Sequence, residues 1–149
     1  MAANPKSARR RITVAAEDYL EKIEQLISRK GYARVVDIAA GLGIAQASVT
    51  AMVQRLDAEG FVKYEKYRGM VLTSTGLEVA RRIAHRHQLL TDFLRAIGVT
   101  DEKIIYDDVE GMEHHISPET FAAIEALTRY LEKTPAVVAK AAATARAGK

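Results

Sequence analysis

The sequence predicts a mainly α-helical protein with one small β-wing: a winged helix-turn-helix unit followed by a second, helical unit. Three observations predict it. Apolar residues recur at helical spacing through most of the 149 residues. One stretch, FVKYEKYRGMVLTSTG, changes to a period of two. Glycines and capping residues stand where the periodic runs stop.

Taken in order, residues 1–15 read as a flexible basic arm, carrying Lys6, Arg9, Arg10 and Arg11. Residues 16–30 read as a helix with Ala16, Tyr19, Leu20, Ile23, Leu26 and Ile27 on one face, stopped by Gly31. A short helix from Val35 to Leu42, a turn at Gly43-Ile44 and a helix over 46–59 follow, with Val49, Met52, Val53 and Leu56 inward and Gly60 as the stop. In the next stretch Val62 and Tyr64 alternate with Lys63 and Glu65, Tyr67-Arg68-Gly69 makes the turn, and Met70 to Leu72 returns. Thr73 or Ser74 then caps a long helix to about residue 97, ended by Gly98. A helix is expected over roughly 101–115. Ser117-Pro118-Glu119 opens the next as N-cap, N1 proline and first-turn acid, running to about residue 133. Pro135 interrupts, and the Ala-rich tail 136–147 reads as a weak final helix or a frayed end. The expected domains are the arm 1–15, a winged helix-turn-helix over 16–75 and a helical unit over 76–149.

Composition narrows the function. The chain is 48% hydrophobic and 28% charged, as expected of a globular protein and too apolar for a disordered one. It has no Cys, which excludes a thiolate metal site and a cysteine nucleophile. No run of about 18 apolar residues exists to span a membrane, and no apolar run follows the basic N-terminus. The expectation is a cytoplasmic protein with no membrane partner. Net charge is only +3 but unevenly spread. Residues 1–11 carry no acid, whereas 101–113 hold Asp101, Glu102, Asp107, Asp108, Glu110 and Glu113 against Lys103 alone. A basic end and an acidic patch suit one anionic and one cationic partner.

Two short helices joined by a tight turn and followed by a hairpin can lay the second helix in a major groove. Its outward positions are Gln46, Ala47, Ser48, Thr50, Ala51, Gln54 and Arg55. Ala and Thr methyls can meet thymine methyls, and Gln can pair bidentately with adenine. Arg55, Lys63, Lys66 and Arg68 are placed to contact phosphate, which sets affinity and position rather than sequence. The same pattern also fits a three-helix bundle with a solvated polar face. The arm could follow double-stranded DNA or be a solvated tail.

In DDVEGMEHH, Glu110, Glu113 and His114 fall at i, i+3 and i+4 on one helix face. Crowded carboxylates repel unless a cation joins them. A solvated acidic face with a chance His is the other reading. On the long helix, Ile83, His87, Leu90 and Leu94 share the inward face, while His85 phases outward with Gln88 and Asp92. An inward His is commonly a packed core residue, but this one has acids to meet. Asp18 and Glu21 lie opposite the apolar stripe of the first helix, and periodicity alone makes them solvated.

The run KGYARVVDIAAGLGIAQASVTAMVQRLDAEGFVKYEKYRGMVLTSTG, then HRHQLL, then VEGMEHH, resembles the manganese transport regulators of the diphtheria-toxin-repressor-like family of metal-dependent repressors. The resemblance covers roughly residues 16–133. It implies a homodimer with two winged-helix heads on a helical dimerisation domain, and a site for two Mn(II) ions per subunit. Carried over by position, the ligands would be Asp18, Glu21, His87, Glu110, Glu113 and His114. Glu110 and Glu113 would be shared between the ions, with a backbone carbonyl near Glu110 contributing. Asp18 and Glu21 enter only through the resemblance. Iron-responsive relatives place a thioether at the position of Asp18 and carry a C-terminal SH3-like domain not recognised here. An all-oxygen-and-nitrogen donor set favours hard Mn(II).

These readings lead to an expected manganese-responsive repressor of manganese uptake genes that acts on operator DNA and is not an enzyme. A metal-independent winged-helix regulator answering to an organic ligand is the alternative. A two-metal hydrolase is a further one, against which EGMEHH matches neither the HExxH nor the HxxEH spacing.

Overall fold

The computed structural model describes residues 12–148. The element order is α1 (Val14–Lys30), α2 (Val35–Leu42), α3 (Gln46–Ala58), β1 (Val62–Glu65), β2 (Gly69–Leu72), α4 (Ser74–Ala96), α5 (Glu102–Met112), α6 (Pro118–Glu132) and α7 (Pro135–Ala147). The chain divides between Ala80 and Arg81, inside α4, into two compact units. No single described helix is long and apolar enough to cross a membrane. The cations of the basic arm, Lys6, Arg9, Arg10 and Arg11, lie outside the described residues.

In the first unit, α1 begins at Val14, so Val14 and Ala15 are helical rather than part of an arm. The cause is local: the Thr13 hydroxyl accepts the Ala16 N–H at 3.3 Å, capping the helix. α1 buries Ala16, Tyr19, Leu20 and Ile23, α2 buries Ile38 and Ala39, and α3 buries Val49, Val53 and Leu56. Burying each large aliphatic side chain contributes about 1.5–3 kcal/mol. α2 and α3 meet at a bend of 115°, inside the range of about 90–120° for a helix-turn-helix. Gly43 makes that bend with φ 68° and ψ 33°, where a Cβ would cost about 1–2 kcal/mol.

β1 and β2 pair antiparallel with Val62 opposite Leu72 and Glu65 opposite Gly69. Val62 and Met70 are buried, while Lys63, Glu65 and Val71 are exposed. Met70 N–H also donates to the Ala33 carbonyl at 3.1 Å, tying the segment before α2 to the wing. Thr73 is the residue that caps α4: its hydroxyl accepts the Gly76 N–H at 3.1 Å and lies 2.7 Å from the Gly60 carbonyl. The helix start therefore presses on the end of the α3–β1 connection. A Cβ on Gly76 would lie 1.9 Å from the Phe61 carbonyl oxygen.

The second unit is built on Leu90 and Leu94 of α4 against Ile105 and Val109 of α5, with Met112, Ile116, Phe121 and Ile124 packed around them. Asp101 caps α5 by accepting the Lys103 and Ile104 N–H groups. Ser117 caps α6 by accepting the Thr120 N–H, with Pro118 at its first turn. Arg95 bonds Glu102 at 2.7 Å, and its guanidinium holds that carboxyl below the usual carboxylate range. The Ala-rich tail is a continuous helix, set off from α6 at Thr134.

α5 ends at Met112, three residues short of the expected 115. The following Ser117-Pro118 pair must be extended to open α6, since a residue before proline is driven out of the α region. The chain therefore leaves the helix over Glu113–His115, in a turn.

Candidate metal centre and nucleic-acid interface

α3 presents Gln46, Ala47, Ser48, Ala51, Gln54 and Arg55 to solvent, and Thr50 is half-buried. The Thr50 hydroxyl donates to the Gln46 carbonyl at 3.0 Å, which fixes its rotamer and turns its methyl to a set direction. Arg55 is bonded to Glu59 at 2.8 Å and Arg68 to Glu65 at 3.3 Å. Both pairs are on the surface, where an ion pair contributes only about 0–1 kcal/mol. Exchange of either arginine onto a phosphate is therefore not opposed by much. Lys63 and Lys66 are exposed on the wing. At its tip Tyr67 holds φ 73° and is 90% exposed, under the Lys66 ammonium.

The second unit brings three predicted donors together. His87 of α4, Glu110 of α5 and Glu113 after it place ligand atoms within 4.8 Å of one another. His87 Nδ1 lies 3.5 Å from Glu110 Oε1 and 3.2 Å from Glu113 Oε2. His114 Nε2 lies 3.4 Å from Glu113 Oε1. α4 supplies His87 from the face that carries Ile83 and Leu90, whereas His85 is exposed, as its phase predicts, and rests edge-on against Phe121. Glu113 caps α5 with φ −60° and ψ −31°, so helical phase persists just far enough to keep it one turn from Glu110. His114 lies beyond the helix end, so the three residues do not share one continuous helix face.

Burial decides what this cluster can do. The Glu113 side chain is 2% exposed. Its two oxygens are buried and make no hydrogen bond, despite the nearby imidazoles. A buried carboxylate left that way is costly. A divalent cation fits here chemically: the donors are carboxylate oxygens and imidazole nitrogens, from separate helices, already converging. Asp18 and Glu21 stand one turn apart on α1, in the first unit. Both are half-buried, not on the fully solvated side that periodicity gives them. Burial pushes the nearby Tyr19 phenol above its ordinary value.

One residue at this centre escaped the sequence reading. Arg86 Nη2 donates to the main-chain carbonyls of Glu113 and Ile116. The available signal was a charge at i+3 from Ile83 and four before Leu90, inside the inward phase.

A winged helix-turn-helix unit and a helical unit with a convergent carboxylate–imidazole cluster define a class, the metal-dependent DNA-binding regulators. Residues 11–70 match the model of the iron dependent repressor N-terminal DNA binding domain, and residues 73–138 that of the iron dependent repressor metal binding and dimerisation domain. The chain is 52% identical over 124 residues to the HTH-type transcriptional regulator MntR of Bacillus subtilis (strain 168), covering 83% of this chain and 87% of that protein. It is 50% identical over 128 residues to the MntR of Lysinibacillus sphaericus (strain C3-41), covering 86% and 91%. Among solved structures, the manganese regulator SloR superposes with a TM-score of 0.67 at 27% identity, over 77% of this chain and 54% of that one. The apo form of the manganese-activated repressor ScaR gives 0.66 at 29%, over 76% and 54%. The chain thus spans about half the length of those solved structures. It belongs to the iron dependent repressor family, the diphtheria-toxin-repressor-like transcriptional regulators. These are DNA-binding regulators and not enzymes, which removes the hydrolase reading.

Proposed function

We propose that this chain is a manganese-responsive transcriptional repressor that works as a homodimer on operator DNA in the cytoplasm and controls manganese uptake genes. The observation that carries the metal response is the buried Glu113 carboxylate, close to His87, His114 and Glu110 and hydrogen-bonded by none of them. The names of the MntR, SloR and ScaR relatives support manganese as the ion. The absence of any sulfur donor from the set accords with a hard ion.

The proposed ligands are Asp18, Glu21, His87, Glu110, Glu113 and His114, holding two ions per subunit. Bound Mn(II) supplies the positive charge that offsets the gathered carboxylates. Residues 16–75 carry DNA contact, with α3 as the groove-reading helix and Lys63, Lys66, Arg55 and Arg68 on phosphate. Residues 76–149 carry dimerisation and most of the ligands. Asp18 and Glu21 are the ligands proposed from α1. In the metal-free state the carboxylates repel, and the two recognition helices are not held at the spacing that successive major grooves require. Shifting such an equilibrium from 1:99 to 99:1 takes about 5.5 kcal/mol of differential binding, a sum that two ions can supply.

The test is selection of duplexes from a random library by the full chain in Mn(II), followed by titration of the winning duplex with Mn(II), with Mg(II) and with a chelator. Tight binding confined to Mn(II) is expected. Equal binding in the chelator would overturn the metal response and favour a regulator independent of metal.

A further inference from the structure

Arg86 precedes His87 on α4 and is half-buried. Its Nη2 donates to the carbonyl oxygen of Glu113 and, at 3.0 Å, to that of Ile116. Its guanidinium carbon sits 5.6 Å from the centre of the Phe121 ring. One nitrogen thereby holds both ends of the turn that links α5 to α6.

Within that turn the His115 N–H also donates to the Met112 carbonyl at 3.0 Å. The last carbonyls of a helix lack intrahelical donors, and α5 has neither a basic residue in its last turn nor a left-handed glycine cap. The cation that a helix C-terminus favours comes instead from α4. A guanidinium this close to an acidic cluster has an obvious alternative, a bidentate pair with a carboxylate. Here its Nη2 donates to backbone carbonyls, and both Glu113 oxygens are left without a hydrogen bond. The arginine steers the backbone from which Glu113 and His114 project, without neutralising the carboxylate.

We propose that Arg86 is a positioning residue of the metal centre: it clamps residues 113–116 so that Glu113 and His114 are held against His87 before any ion arrives. This rests on the metal-centre reading above. Supporting residues of metal ligands commonly matter by about 10–100-fold in affinity, and a loss in that range is expected when the clamp is removed.

The experiment compares wild type, Arg86→Met and Arg86→Lys as full chains. Mn(II) affinity is read from the spectroscopic signal of free aqueous Mn(II), and circular dichroism confirms that each variant is folded at the assay temperature. Amide exchange of residues 113–117 is followed in metal-free protein. Arg86→Met is expected to lose about 10–100-fold in affinity and to exchange faster across the turn. Arg86→Lys, which keeps the charge but is shorter, is expected to recover part of both. If Arg86→Met does not fold, Arg86→Lys is read against wild type alone. Wild-type protein that binds no Mn(II) would overturn the metal centre and the clamp together. Wild-type binding with unchanged affinity in the folded variants would overturn the clamp only.

Discussion

His87 Nδ1 on α4 stands 3.2 Å from Oε2 of Glu113, a carboxylate 2% exposed at the end of α5. The pair joins two helices of the second unit at a point where the core offers no hydrogen bond to either Glu113 oxygen. Glu110 adds a second carboxylate within 4.8 Å. Packing therefore holds together groups that electrostatics alone would separate.

Glu113→Gln tests that balance with opposite signs in two measurements. The amide keeps the shape and removes the buried charge, so the metal-free protein should unfold at the same temperature or higher. Mn(II) affinity should fall by more than the roughly 10–100-fold seen when a mere supporting group is lost. Calorimetric unfolding without metal and Mn(II) titration read the two effects. A lower unfolding temperature in the metal-free variant would show that the carboxylate is satisfied without an ion.

Gly76→Ala should destabilise the first unit. The new Cβ would lie 1.9 Å from the Phe61 carbonyl oxygen, which is backbone and cannot swing aside. Overpacking of this kind costs about 1–3 kcal/mol or more. Thermal unfolding should shift down, whereas the neighbouring exposed Thr75→Ala should change little.

Much of the fold was legible because its determinants are local. The wing follows from the alternation at Val62–Glu65, and α6 from Ser117-Pro118. The end of α5 was not legible, because the turn after it is held by Arg86, whose carbonyl partners lie 27 and 30 residues away. The start of α1 was missed by two residues because a threonine cap followed by Val14 gives a weak periodic signal. At the site, helical phase put Glu110 and Glu113 on one face and turned His87 inward on the long helix, but it also placed His114 on a helix that ends before it. The depth of Glu113 was not legible, since it comes from tertiary packing of α4 and α5. Asp18 and Glu21 show the limit of phase in the other direction, being half-buried on the side that the apolar stripe leaves to solvent.

On DNA, Gln54→Ala and Lys66→Ala should fail differently. Gln54 is exposed on α3, and a lost base pairing costs about 1–3 kcal/mol of discrimination. Its variant should weaken selected duplexes more than random ones. Lys66 is exposed near the wing tip, so its variant should weaken both alike and make the salt slope shallower by about 0.9. Equal losses on selected and random DNA for Gln54→Ala would place that residue outside the base contacts.

Asp18 gives the sharpest test of the ligand set. Its helical phase opposes the stripe of Tyr19, Ile23 and Leu26, which by itself makes Asp18→Asn nearly silent. Its half-burial and its place in the family pattern support the proposal that it is a manganese ligand. Asparagine keeps the size and one oxygen donor and removes only the charge, so α1 should still form from its Thr13 cap. Operator binding by Asp18→Asn should then require much more Mn(II) than wild type, with binding recovered at saturating metal. Asp18→Met exchanges a hard oxygen for a thioether and should shift preference toward softer Fe(II). Mn(II) and anaerobic Fe(II) titrations of duplex binding, with circular dichroism as the fold control, measure both effects. A wild-type manganese response in Asp18→Asn would falsify the assignment, and Glu21, one turn along the same helix, would lose its support with it.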